Sequence, residues 1–155
     1  FQGMDSTFEK LVKMQHYFLP TRLLDITENP LVALYFACID DEKEGIAYIF
    51  EIAEKDIKYF DSETVSILSN LAKIEKPKSL STRKDFNSTD EYKKLLFQIH
   101  QEKASFVDNI NSDDPFSINC VIPKLDNKRI KAQNGAFFIF GMDENTPHEA
   151  VANMA

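Results

Sequence analysis

The sequence predicts an α+β fold: one domain with a small mixed or antiparallel sheet flanked by helices. Two observations lead there. Segments with apolar residues at helical spacing alternate with apolar runs too short for helices, in the order helix, loop, helix, strand, helix, loop, helix, strand, helix, strand. The chain of 155 residues, 43% hydrophobic and 28% charged, also suits a single core, and no repeat or linker divides it.

Each element has a local reason. Ser6 is the best cap for the first helix, because Glu9 lies three residues on and completes a capping box. Phe8, Leu11, Val12 and Gln15 then fall at helical spacing, which predicts a helix over about Thr7–Tyr17. Leu19-Pro20 stops it, since a residue before Pro leaves the helical region. Thr21 to Leu24 reads as extended or irregular. Asn29-Pro30 opens a second helix, Asn as cap and Pro in the first turn. It runs through Leu31, Leu34, Tyr35 and Cys38 and fades in the acidic run from Asp40 to Glu44.

After Gly45, the run Ile46 to Ile52 reads as a largely buried strand. Ser62 to Ala72 is a short helix, and Lys73 to Thr89, charged and Ser-rich with Pro77, a loop. Asp90 caps a helix through Tyr92, Leu95, Leu96, Ile99 and Lys103. Phe116 to Pro123 is a strand, Lys124 to Gln133 a short helix ended by Asn134-Gly135, and Ala136 to Phe140 a strong strand. The residues from Asp143 form a polar tail.

Composition excludes several classes. Thirteen Phe and five Tyr supply bulky core material without any Trp. The net charge of −7 disfavours broad binding to a phosphate backbone, and the basic stretch Lys73 to Lys84 holds no aromatic, so nucleic acid is not an expected partner. No apolar run is long enough for a membrane span and no signal-peptide pattern opens the chain, so the expected location is the cytoplasm. Cys38 and Cys120 read as reduced core thiols. Gly-rich phosphate loops, Cys/His metal spacings, Gly-x-Ser-x-Gly and His-Glu-x-x-His are all absent, and no metal is expected. His100 and His148 read as solvated bystanders. Phe1-Gln2-Gly3 reads as a tag remnant, which leaves 4–142 as the domain and 143–155 as the tail.

The chemistry concentrates between Gln15 and Asn29. His16 is able to exchange a proton near neutral pH or donate to a ligand, or it is simply a helix-end His; Tyr17 lies beside it. The planar fork of Arg22 suits a phosphate or carboxylate. Asp25 follows three residues later and either pairs with Arg22 to hold the loop or orients it toward a ligand. Thr21 and Thr27 suit backbone capping or ligand contact. Thr27 and Asn29 precede the second helix, whose N-terminus also suits an anion clamped by Arg22. Tyr35 and Phe36, one turn inside, read as core.

The run Gln15-His16-Tyr17-Phe18-Leu19-Pro20-Thr21-Arg22-Leu23-Leu24-Asp25-Ile26-Thr27, followed by Pro30-Leu31-Val32-Ala33-Leu34-Tyr35-Phe36-Ala37, resembles the hallmark of the FRG domain. That bacterial family is named for a Phe-Arg-Gly motif near its start. The departures are Phe18, where the family usually has Gly, and Ile26, where it usually has Trp; they change packing more than chemistry. No Arg-Gly pair occurs in the sequence, so the chain is expected to be a fragment of a longer protein, the alternative being a degenerate member of the family. Arg129, Gln133, Gly135 and Phe137 match a similar run near the family's end. Gln133 is then a polar ligand contact at the mouth of the last strand, or a C-cap group with Gly135 as the left-handed residue.

By analogy, the family's layout is similar to that of ADP-ribosyltransferases. The resemblance implies NAD as cofactor, Asp25-Ile26-Thr27 with the Ala33–Ala37 helix as the middle element, His16 and Tyr17 near the nicotinamide or ribose, and His16 and Gln133 as the catalytic pair. With Gln133 in place of a Glu and no Arg-Gly element, little or no transferase activity is expected of this chain. The expected function is binding of a nucleotide or small anion. The alternative is a non-enzymatic interaction or sensor module in a bacterial stress or defence system, with an unknown protein partner.

Overall fold

Capping chemistry sets where the helices begin. A computed structural model describes residues 6–40, 44–75, 77, 83–124 and 135–142. Helix α1, Thr7–His16, has Ser6 as its cap, and the capping box with Glu9 is complete. Helix α2, Pro30–Ala37, is capped by Asn29, whose side chain accepts from the Leu31 amide. Helix α3, Glu63–Asn70, is capped by Ser62. Helix α4, Asp90–Glu102, is capped by Thr89, one residue before the expected Asp90. Thr89 has the extended backbone a cap needs, while Asp90 turns its carboxylate to Lys93 (3.0 Å).

Four strands make one mixed sheet in the order β1-β4-β3-β2. They are β1 Leu23–Thr27, β2 Ile57–Tyr59, β3 Ile118–Ile122 and β4 Gly135–Phe140. The β1/β4 and β4/β3 pairs are antiparallel, and β2 runs parallel to β3. The α+β expectation therefore holds, with a mixed sheet.

Alternation along the strands divides the apolar residues between two layers. On one face Leu23, Val121, Phe137 and Ile139 meet the helices through Phe8, Leu11, Val65, Leu68, Leu95 and Ile99. On the other, Cys120, Ala136, Phe138 and Phe140 meet Leu24, Ile26, Phe50, Ile52, Ile57 and Ile118. The rings of Phe50 and Phe138 pack edge to face at 5.3 Å.

The helical layer is joined by a polar knot. Glu102 at the end of α4 accepts from the backbone amide (2.9 Å) and hydroxyl of Thr7 and from the Asn70 amide (3.2 Å). Asn70 is fully buried; it also donates to the Ser66 carbonyl and accepts from Lys73. The carboxylate thus sits on the first amide of α1, where the positive end of the helix favours it.

Several expectations are corrected. Residues 46–52 form no strand: Phe50 and Ile52 reach the sheet while Ile49 and Glu51 point to solvent, so the alternation exists without a ladder. The strand in that region is Ile57–Tyr59. Within the expected loop, Arg83–Ser88 forms a 3-10 turn that drives Phe86 into the core. Thr21 to Leu24 leads into a regular strand as far as Thr27. Cys120 is buried but Cys38 is exposed. Tyr35 and Phe36 are exposed as well, because α2 leaves none of its eight residues buried. His100 is more than a bystander: its Nε2 lies 3.1 Å from the Phe106 carbonyl, and its ring meets the Phe106 ring edge-on. The expected helix at 124–133 and the tail from 143 lie outside the described residues, apart from Lys124, which is not helical. No helix among the described residues is long and apolar enough to cross a membrane.

Candidate functional site

The junction of α1 and β1 gathers most of the polar residues in question. Helix α1 ends in a Schellman arrangement: the Phe18 amide donates to the Gln15 carbonyl and the Leu19 amide to the Met14 carbonyl, both at 3.0 Å. This geometry requires a left-handed residue at position 18, and Phe18 has φ 60°. His16 and Tyr17 are left exposed at the helix end, their rings 5.5 Å apart.

Gln15 is the organiser of the junction, a role its sequence position at helical spacing did not suggest. Its Oε1 accepts from the Thr21 hydroxyl (2.6 Å), and its Nε2 donates to Asp25 Oδ2 (3.0 Å) and the Leu23 carbonyl (3.4 Å). The Thr21 hydroxyl in turn accepts from the Leu23 amide (3.1 Å). The Phe140 amide donates to the Arg22 carbonyl, so Arg22, Leu24 and Ile26 turn their main-chain groups to β4, and Leu23, Asp25 and Thr27 turn theirs outward. Gln15 and Thr21 therefore plug the outward carbonyl and amide of Leu23. Thr21 spends its one hydroxyl proton in doing so.

Arg22 does not pair with Asp25. Residues three apart on an extended chain face opposite sides of the sheet, and Asp25 lies on the side of α1. Arg22 Nη1 donates instead to the carbonyls of Phe140 (2.7 Å) and Gly141 (3.4 Å) at the end of β4. No carboxylate among the described residues pairs with it. Among the described residues no buried side-chain nitrogen lacks a partner, so Nε and Nη2, which make no hydrogen bond, keep some access to solvent. Burial pulls the guanidinium below its ordinary pKa.

The start of α2 is a separate place. The Thr27 hydroxyl accepts from the Asn29 amide (3.0 Å), and Asn29 caps Leu31. Arg22 and Thr27 stand at opposite ends of β1, about 16 Å apart at ~3.3 Å per residue. A small anion cannot touch both; only an extended ligand reaches from one to the other. Arg129 and Gln133 lie outside the described residues.

The geometry thus brings Gln15, Thr21 and Asp25 into one network, seats His16 and Tyr17 together at the helix end, and leaves Arg22 with two solvent-facing donor groups. No curated protein and no solved structure matches the chain. The family model of the FRG domain matches residues 2–45, a stretch that ends before β2, β3 and β4. The plug on β1, Arg22 and the capped start of α2 all fall inside that match, so it is over residues 2–45 that the chain is similar to the FRG domain.

Proposed function

We propose that this FRG-domain chain binds an anionic ligand of the nucleotide class at the α1–β1 junction, with Arg22 as the cationic contact. The observation that carries this reading is the state of the guanidinium. Two carbonyls hold Nη1 in place, no carboxylate among the described residues neutralises the charge, and Nε and Nη2 keep some access to solvent. A planar cation fixed on one side and open on the other matches the two-point geometry of a phosphate. His16 and Tyr17 lie exposed at the end of α1, on the other side of the sheet from Arg22, so a ligand held by Arg22 meets their rings only by wrapping round the start of β1.

The succession of β1 and α2 fits the middle element of an ADP-ribosyltransferase layout, and the span from Arg22 to the α2 N-terminus suits a ligand as long as NAD. These points support NAD or ADP-ribose as the first ligands to try. The chain binds such a ligand without transfer, since Gln133 stands where those enzymes carry a Glu and no Arg-Gly pair occurs in the sequence.

The test is calorimetric titration of NAD, ADP-ribose and inorganic phosphate into the wild-type chain, Arg22→Lys and Arg22→Ala. Circular dichroism would check that each variant folds. The expected result is binding by wild type, at least tenfold weaker binding by Arg22→Lys, which keeps the charge but loses the fork, and none by Arg22→Ala. Failure of all three ligands to bind wild type, or equal binding by folded Arg22→Ala, would overturn the proposal.

A further inference from the structure

Arg22 is held from outside its own segment. Both carbonyls on its Nη1 belong to Phe140 and Gly141, where the chain leaves β4. Their position depends on a close backbone contact. Gly141 lies against the 3-10 turn Asp114–Phe116: its amide donates to the Ser117 carbonyl (2.9 Å), and the Met142 amide donates to the Pro115 carbonyl (2.8 Å). A Cβ at position 141 would stand 2.4 Å from the Pro115 oxygen and 2.7 and 2.8 Å from two backbone carbons of Phe116. The backbone of Gly141 lies outside the left-handed region, so space rather than conformation calls for glycine there.

The turn is the firmer side of this contact. Pro115 is fully buried, and the Phe116 ring packs edge-on against the fully buried Phe86 at 6.0 Å. A methyl carbon rests about 3.5 Å or more from another carbon, so an alanine would drive the end of β4 off the turn by roughly 1 Å. Arg22 Nη1 stands 2.7 Å from the Phe140 oxygen, and a shift of that size is enough to take the pair out of hydrogen-bond range.

We infer that Gly141 is a positioning residue for Arg22. It lets the end of β4 seat on the turn, which fixes the two carbonyls on Nη1 and so sets the direction in which Nε and Nη2 meet a ligand. The inference rests on the reading of Arg22 as the cationic contact. A fork held this way keeps one orientation before the ligand arrives, and binding then costs little side-chain freedom. The turn and Gly141 lie beyond residues 2–45, so residues outside the family match orient the cation within it.

The test is NMR of isotope-labelled arginine side chains in wild type, Gly141→Ala and Pro115→Ala, with Arg22→Lys to assign the Arg22 signals by their loss. Wild type is expected to give two separate Nη signals for Arg22, because the bonds to the carbonyls hinder rotation about Nε–Cζ. Gly141→Ala is expected to merge them into one. Calorimetric titration of ADP-ribose gives a second readout. Gly141→Ala should weaken binding about tenfold in wild type but less than about twofold in Arg22→Lys, which has no fork left to aim. A glycine that only supported the fold would weaken both alike. Circular dichroism shows whether Gly141→Ala folds. If it does not, Pro115→Ala, which frees the turn without adding an atom, is expected to merge the signals in its place. A single averaged Arg22 signal in wild type, separate signals that persist in the folded variant, or equal weakening in both backgrounds would each overturn the inference. Failure of wild type to bind ADP-ribose would count against the ligand reading alone, since the NMR signals report the clamp with no ligand present.

Discussion

Phe18 occupies a backbone conformation that costs a residue with a Cβ about 1–2 kcal/mol. The cost arises because the Schellman turn after α1 needs the left-handed region at that position, as the bonds from the Phe18 and Leu19 amides require. The ring returns nothing to the core, being 97% exposed. Glycine removes the strain without loss of packing. Phe18→Gly is expected to stabilise the fold by about 1 kcal/mol, a rise of about 2–4 °C in melting temperature for a domain of this size. A melting temperature that stays level or falls would show that the ring does more than the backbone argument allows. Tyr92 makes a second residue-scale case. Burial first, and then its 2.5 Å hydrogen bond to the negative Asp108, raise its pKa above the ordinary ~10. The fold therefore favours the neutral phenol. That stabilisation is complete below pH ~10 and is lost as pH rises from there toward the folded-state value. Melts of wild type and Tyr92→Phe from about pH 8 to 11 are expected to converge at the alkaline end; a constant gap would refute the linkage.

Among the elements, the strongest junction is the knot of α1, α3 and α4. Glu102 serves three donors, and the fully buried Asn70 amide, which gives one proton to the Ser66 carbonyl, gives its other to this carboxylate. Removing the carboxylate leaves the Thr7 backbone amide and one amide proton of Asn70 without an acceptor, while the Thr7 hydroxyl still reaches Asn70 Oδ1. Glu102→Ala should therefore cost about 2–4 kcal/mol, against less than about 0.5 for the solvent-facing Lys94→Ala. Chemical denaturation measures both; similar values for the two would mean that water replaces the carboxylate. The knot also shows where sequence reading stops. The helix starts at Ser6, Asn29-Pro30 and Ser62 were legible, because a cap and its helix lie within four residues. Glu102 and Thr7 are ninety-five residues apart, and no local pattern announces their contact. Residues 46–52 misled for a related reason. Alternation reports which side chains turn inward, and they do at Phe50 and Ile52, but a ladder also needs a neighbouring strand. The candidate site was legible as a cluster at Gln15 to Asn29, whereas its internal wiring was not. Only the register of β1 on β4 reveals that Arg22 and Asp25 face apart and that Gln15 holds the strand.

For the whole molecule, the two faces of the sheet are unequally protected. Helices cover one; on the other, Phe50 and Ile52 belong to a segment without regular hydrogen bonding. Such a segment opens at lower free energy than the global fold. Cys120 lies beneath it, its thiol pushed up in pKa by burial and then by the charge of Glu28. Under native conditions a maleimide should label Cys38 rapidly and Cys120 slowly. Phe50→Ala should speed Cys120 about tenfold, which corresponds to ~1.4 kcal/mol of easier opening. If Cys120 instead reacted only at the rate of global unfolding in both proteins, the covering segment would be as firm as the helices. The opposite margin of the sheet has another kind of protection, with a bearing on fibril formation. Cross-β growth starts when a foreign strand docks its amides and carbonyls on an unprotected border. At β1 the first outward carbonyl and amide are already taken by Gln15 and Thr21. At most the outward groups of Asp25 and Thr27 remain, too short a template to seed an amyloid ribbon from this side.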